Sequence, residues 1–174
     1  MAGTFAERLA AAGPIHLAAA ARVLASRVPR PLRPLLISAI SPRGRLWFRC
    51  FTGTLTAPRF IEFLTALLQD VRGTLDVVLD KHPAHVAAAT RRFLQQHRRR
   101  IRVHFLPSYA PDLNPDEHVW SYLKALFRKE PLVPGEQLRR AVEEAMEEIR
   151  ADRGLVRRFF NHPDVTYVKE ALHW

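Results

Sequence analysis

Thr74-Leu75-Asp76-Val77-Val78-Leu79-Asp80 is the stretch on which the reading of this chain turns. It ends in a continuous apolar run, the pattern of a strand covered on both faces and therefore central in an α/β sheet. Asp80 closes that strand, and open α/β sheets set their ligand groups just beyond the carboxyl ends of strands. Downstream, the spacing of Val86, Thr90, Phe93 and Leu94 predicts an amphipathic helix from about Ala84 to His97. Ile101-Arg102-Val103-His104-Phe105-Leu106 alternates as the next strand. A proline-rich loop from Pro107 to Pro115 follows, with Pro115 suited to open the helix that continues from Glu117 to Phe127. Pro131 and Pro134 separate that helix from another over Gly135 to Arg150. A last short helix near Leu155 to Phe160 precedes a tail ending at Trp174.

Upstream, Leu35-Leu36-Ile37-Ser38-Ala39-Ile40 and Arg45-Leu46-Trp47-Phe48-Arg49-Cys50-Phe51 flank the turn Ser41-Pro42-Arg43-Gly44, which reads as an antiparallel hairpin. Thr56 can cap a helix with Phe60, Ile61, Phe63, Leu64, Leu67 and Leu68 at helical spacing. The order from residue 35 is β-β-α-β-α-β-α-α: an α/β domain with a mixed sheet and a C-terminal helical cover, spanning 35–174. Residues 1–34 form an atypical segment whose prolines at 29, 31 and 34 favour an extended, polyproline-like linker. Ile15 to Val28 reads as a short Ala-rich helix starting after Pro14.

The 174 residues suit one domain, and 48% hydrophobic with 25% charged residues is a globular balance. No apolar run approaches the roughly 20 residues that span a bilayer. Glu7, Arg8, His16 and Arg22 fit a signal peptide poorly. A single cysteine, Cys50, excludes an internal disulfide and a cysteine-rich zinc site, and a cytoplasmic setting is expected. The net charge of +10 favours a polyanionic partner, of which nucleic acid is the usual one.

Asp80 and Glu117 are the carboxylates to which chemistry is assigned. If the 107–115 loop crosses the strand tips, a strand-borne Asp and a helix-borne Glu converge, and a hard divalent cation relieves their repulsion. Each has a plainer reading: an Asp closing a strand forms turns, and a Glu in a first helical turn complements the helix dipole. His82 and His85 lack the further ligands of a zinc tetrahedron, so His85 is read as supporting a ligand or touching phosphate. Asn114 is read as a helix cap or a contact to the same group, and Asp116 as a solvated dipole partner. Tyr109 is read as a loop anchor, with stacking on a base as the alternative. Arg91, Arg92, Arg98, Arg99, Arg100 and Arg102 cluster as a DNA-binding surface, against the plain reading of a solvated helix end. Trp120, Leu123, Leu126 and Phe127 are assigned to the core. Glu143, Glu144, Glu147 and Glu148 mark an acidic helix face unsuited to DNA.

Val77-Val78-Leu79-Asp80-Lys81-His82-Pro83-Ala84-His85 resembles the second-acid segment of IS630/Tc1-mariner-type transposases, (L/V)-D-x-x-x-x-H. The segment Phe105-Leu106-Pro107-Ser108-Tyr109-Ala110-Pro111-Asp112-Leu113-Asn114-Pro115-Asp116-Glu117-His118-Val119-Trp120 resembles their third-acid motif, P-x-Y-(A/S)-P-(D/E)-L-N-P-x-E-x-x-W. Ser38 to Gly44 is similar to the hairpin these proteins carry before their first helix, and the likeness runs over about residues 35–160. It implies an RNase H-like fold and a DDE triad with two Mg²⁺ or Mn²⁺ ions. Cut-and-paste transposition on transposon ends and target DNA is the implied activity. Asp80 matches the second acid and Glu117 the third.

The first acid departs from this pattern. The family carries it, usually as Asp-Glu, on the strand that opens the sheet, whereas the first aspartate here is Asp70, past the first helix. The N-terminal part therefore reads as truncated or out of frame. Two functional expectations follow: a transposase catalytic domain inactive on its own, or a non-catalytic remnant that binds DNA. Its expected partners are a second copy or a complementing upstream transposase polypeptide.

Overall fold

The computed structural model describes residues 16–23, 34–107, 110–128 and 136–170. The polyproline-like segment 24–33, Tyr109, Pro131, Pro134 and Trp174 lie outside the described residues. Five strands form one sheet in the order β3-β2-β1-β4-β5. They are β1 (His16–Val23), β2 (Pro34–Ile40), β3 (Leu46–Thr52), β4 (Leu75–Leu79) and β5 (Ile101–Phe105). The β2–β3 hairpin and the β1–β2 pair are antiparallel, while β1–β4 and β4–β5 are parallel, so the sheet is mixed as expected.

β1 is a correction. The expected helix over Ile15 to Val28 is a strand where the chain is described, and it lies at the centre of the sheet. Alanine has the highest intrinsic helix preference, but that preference is worth only tenths of a kcal/mol per residue. Here pairing on both sides overrides it: Ala18 to Val23 pair with β2, and His16 to Ala19 pair with β4.

Two apolar layers clasp the sheet, and the period-2 alternation of the strands sorts residues between them. Ile37 and Ala39 of β2 and Leu75, Val77 and Leu79 of β4 face α1 (Ala57–Asp70), through Phe60, Phe63, Leu64 and Leu67. Leu36, Ile40 and Val78 face the C-terminal helices α4 (Asp116–Leu126), α5 (Glu136–Ala151) and α6 (Arg153–Arg158). Between β4 and β5 the chain makes a short helix α2 (Pro83–Val86) and then α3 (Ala88–Gln96). A short helix α7 (Tyr167–Glu170) ends the described chain.

The β2–β3 turn is locked to the helical cover by Gly44. Its φ of +83° is strained for any side chain, and a Cβ there would meet the Arg153 carbonyl oxygen at 2.5 Å. Leu126 was expected in the core but is 41% exposed, because it lies off the stripe formed by Val119, Trp120 and Leu123. No helix among the described residues is long and apolar enough to cross a membrane.

Candidate active site at the sheet centre

Asp80 follows directly on β4, where the chain turns into α2. Its Oδ1 accepts the His82 amide at 3.0 Å and lies 2.8 Å from His85 Nδ1. That imidazole nitrogen also lies 3.2 Å from the Asp80 carbonyl oxygen. His85 is 1% exposed and tilts against the Phe60 ring at 4.3 Å between centroids, so its orientation is fixed by packing. Burial pushes the Asp80 carboxyl up, but hydrogen bonds from His85 and His82 outweigh it and hold the group below its usual range. Asp80 is therefore an ionised carboxylate with one oxygen anchored and its side chain 43% exposed.

His82 Nδ1 accepts the Ala84 amide at 3.1 Å, which takes up one of its two ring nitrogens in starting α2. Among the described residues, no three His, Cys, Asp or Glu side chains gather to hold a metal. The H-x-x-H pair is thus a turn device and an Asp80 support.

Across the sheet, the register aligns the other candidates. Ser38 of β2 pairs with Ala20 of β1, and Ala19 pairs with Leu79. Continued by one residue, that register puts Ala20 beside Asp80. Ser38 and Asp80 then flank β1 at two strand spacings, roughly 10 Å apart. The start of α4 is fastened above Ser38, because Ser38 Oγ donates to Asp116 Oδ2 at 2.7 Å. Trp120 Nε1 donates to the same oxygen at 3.2 Å. α4 packs along β1 and β2. Glu117, half-buried, follows Asp116 in the first turn of this helix.

One expectation needs correction. Asp116 is not solvated: it is fully buried and fastens the helix start to the sheet. A charge one residue before the motif Glu looked like a dipole partner, and only the Ser38 pairing from 78 residues away reveals its role. Asn114 takes the cap reading: it is 2% exposed and its Oδ1 accepts the Asp116 amide at 3.1 Å, which holds the turn into α4.

The arginines divide. Arg91, Arg92, Arg98 and Arg99 are exposed and make no ion pair among the described residues. Arg100 instead caps the end of α1, donating to the carbonyl oxygens of Leu68, Val71 and Gly73. Arg102 pairs with the buried Asp76 at 2.7 Å, and His104 Nε2 lies 2.8 Å from its other oxygen. These two guanidiniums are committed to the fold because a buried carboxylate and orphan helix carbonyls require partners. The predicted acidic face, Glu143, Glu144, Glu147 and Glu148, lines a groove of about 770 Å³ against Phe48 to Phe51 of β3.

With this geometry in hand, comparison with known proteins is specific. Residues 24–139 match the family described as DDE superfamily endonuclease. The catalytic domain of the Mos1 mariner transposase superposes with a TM-score of 0.71 at 16% identity, over 97% of this chain and 89% of that one. The Mos1 catalytic domain with raltegravir and Mg gives 0.72 at 15%, over 97% and 90%. The Mos1 mariner paired end complex with Mn gives 0.73 at 16%, over 97% of this chain and 60% of that chain. No curated protein matches by sequence. At such identities these likenesses define the fold, which is RNase H-like.

Proposed function

From the premise that this chain belongs to the DDE superfamily endonucleases, we propose that it is a Tc1/mariner-type DNA transposase catalytic domain whose carboxylate set is incomplete. Asp80 and Glu117 are its metal-binding residues. Carboxylate oxygens are the donors Mg²⁺ and Mn²⁺ take, and Mg²⁺ uses one or two of them with water and phosphate oxygens filling the octahedron. Asp80, ionised and half-exposed, fits that demand, and the Mos1 domain with Mg and the Mos1 complex with Mn support this choice of ion. When bound, such ions supply charge that stabilises the attacking and leaving oxygens of a phosphodiester displacement. His85 holds the Asp80 carboxylate in one orientation, and the Ser38–Asp116 bond fixes the helix that carries Glu117.

A second ion needs a third acid between these two, and there this sequence has only alanines. β1 reads His16-Leu17-Ala18-Ala19-Ala20-Ala21-Arg22-Val23 and carries no carboxylate. That strand is the observation on which the proposal rests: the scaffold is complete at its centre, but the acid is missing. The catalytic fold is accordingly taken to begin at β1, and the chain alone is inactive in strand cleavage. The 105–120 motif supports the IS630-like branch, an insertion-sequence element and DNA as substrate. Arg91, Arg92, Arg98 and Arg99 are the DNA contacts. The alanines of β1 equally support a second reading, a remnant that binds DNA or pairs with intact transposase without cutting.

The test is nicking of supercoiled plasmid by the purified chain with Mg²⁺ or Mn²⁺. The native chain is expected to leave the plasmid intact. Ala20→Asp is expected to nick it, and Asp80→Ala in that background to abolish the nicking. Nicking by the native chain that is lost in Asp80→Ala would overturn the incomplete-site reading. Silence of Ala20→Asp, with its fold intact by circular dichroism, favours the remnant.

A further inference from the structure

One face of α4 is unused by the site described above. His118, one residue after Glu117, and Tyr122, one turn further on, form a wall of an open cleft of about 500 Å³. Arg158, Phe159, Asn161, His162 and Pro163 form the other wall. That volume is within the roughly 300–1,000 Å³ typical of small-ligand sites. Aromatic rings line it on both sides. His118 and His162 tilt together at 4.8 Å, and Tyr122 meets Phe159 edge-on at 5.9 Å. Tyr122 is 38% exposed, so one part of its ring is open to the cleft. The Nε2 of His118 is buried and has no hydrogen-bond partner among the described residues.

We propose that this cleft binds one unpaired nucleobase of a DNA substrate, beside the helix turn that bears Glu117. The inference rests on the transposase reading and adds to it a particular structural feature of the DNA. Aromatic surfaces that tolerate any sequence are how proteins hold unstacked bases, and Tyr122 and His162 are the rings exposed to the cleft. A free phosphate is the wrong occupant, because the Asp164 carboxylate lies 3.2 Å from His162 Nδ1 and repels an anion. The exposed guanidinium of Arg158 at the rim suits the phosphates flanking the base.

The experiment compares a blunt duplex with the same duplex carrying a short unpaired extension that contains 2-aminopurine. Binding is followed by anisotropy, and base stacking by quenching of 2-aminopurine emission. Stacking on a single aromatic side chain typically tightens binding by about fivefold to a hundredfold. The native chain is expected to prefer the extended duplex about tenfold, with quenching. Tyr122→Ala combined with His162→Ala is expected to remove most of that preference and the quenching, leaving blunt-duplex affinity unchanged, while Tyr122→Phe keeps both. Salt-dependent binding to both duplexes without preference, or a preference that survives the double variant, overturns the cleft and leaves the transposase reading standing. Failure to bind either duplex overturns both.

Discussion

At the scale of single residues, two buried groups make the clearest claims. Asp116 is a carboxylate with no exposure, held by Ser38 and Trp120. Truncating it leaves the Ser38 hydroxyl and the Trp120 N–H unpaired in the core, at a cost of about 1–3 kcal/mol. Asp116→Ala should therefore lower the thermal midpoint clearly, whereas a surface control such as Asp152→Asn should cost less; calorimetry decides it. Cys50 is the second group. Burial, and after it the charge of Glu143, push its thiol up to about 12 from an ordinary 9.0, with Arg139 opposing. A three-unit rise cuts the thiolate near pH 8 roughly a thousandfold, so iodoacetamide should label native protein about that much more slowly than unfolded protein. The sign for stability is fixed by the same shift. The protonated thiol favours the folded state fully below pH 9, and that contribution is lost as pH climbs towards 12. Of these residues, Asp80 was legible because its strand, its turn and its motif all lie within a few positions. Asp116 was not, since its role depends on a strand far away in sequence.

At the scale of elements, α3 can be read as a phosphate-binding face. Arg91 and Arg92 are exposed on the helix, Arg98 and Arg99 are exposed in the turn that follows it, and Gln95 and Gln96 are exposed between them. The chain passes from Asp80 through α2 and α3 to the start of β5, which lies beside the start of β4. Each phosphate neutralised adds about 0.9 to the slope of log K against log salt. Replacing all four arginines by alanine should reduce that slope by roughly 3 to 4 in a titration on duplex DNA. Arg100→Ala should instead leave the slope nearly unchanged and cost on the order of 1–2 kcal/mol of stability, because it exposes carbonyls at the end of α1. Charge density alone could not separate these arginines. The hairpin, the strands after residue 34 and most helices were legible because their apolar spacing and turn residues agree, but the single helix expected over Ala84 to His97 is two, broken at the extended Ala87. β1 was misread because local alanine preference points one way and sheet pairing the other.

At the scale of the whole molecule, the sheet consists of two sequence-local pieces. The β2–β3 hairpin is one, the β4–β5 pair is the other, and among the described residues their backbone hydrogen bonds meet only through β1. The α1 and α4–α6 layers bury side chains from both. Losing β1 would therefore expose amide edges on β2 and β4 together while the apolar layers still held. Native-state hydrogen exchange should find the amides of β2 and β4 that bond to β1 opening as one unit, at lower free energy than the Val77 and Leu79 amides bonded to β5. Equal protection throughout would mean that the sheet opens only by global unfolding.

β1 also acts as a keystone, the last piece that makes an arch bear load. Its neighbours bond it through backbone groups that do not read side chains, while the apolar layers on both faces of the sheet do. Which acids stand at the centre of this protein is thus decided by whichever peptide occupies that seam, and a segment of eight residues is enough to alter the chemistry of the whole arch.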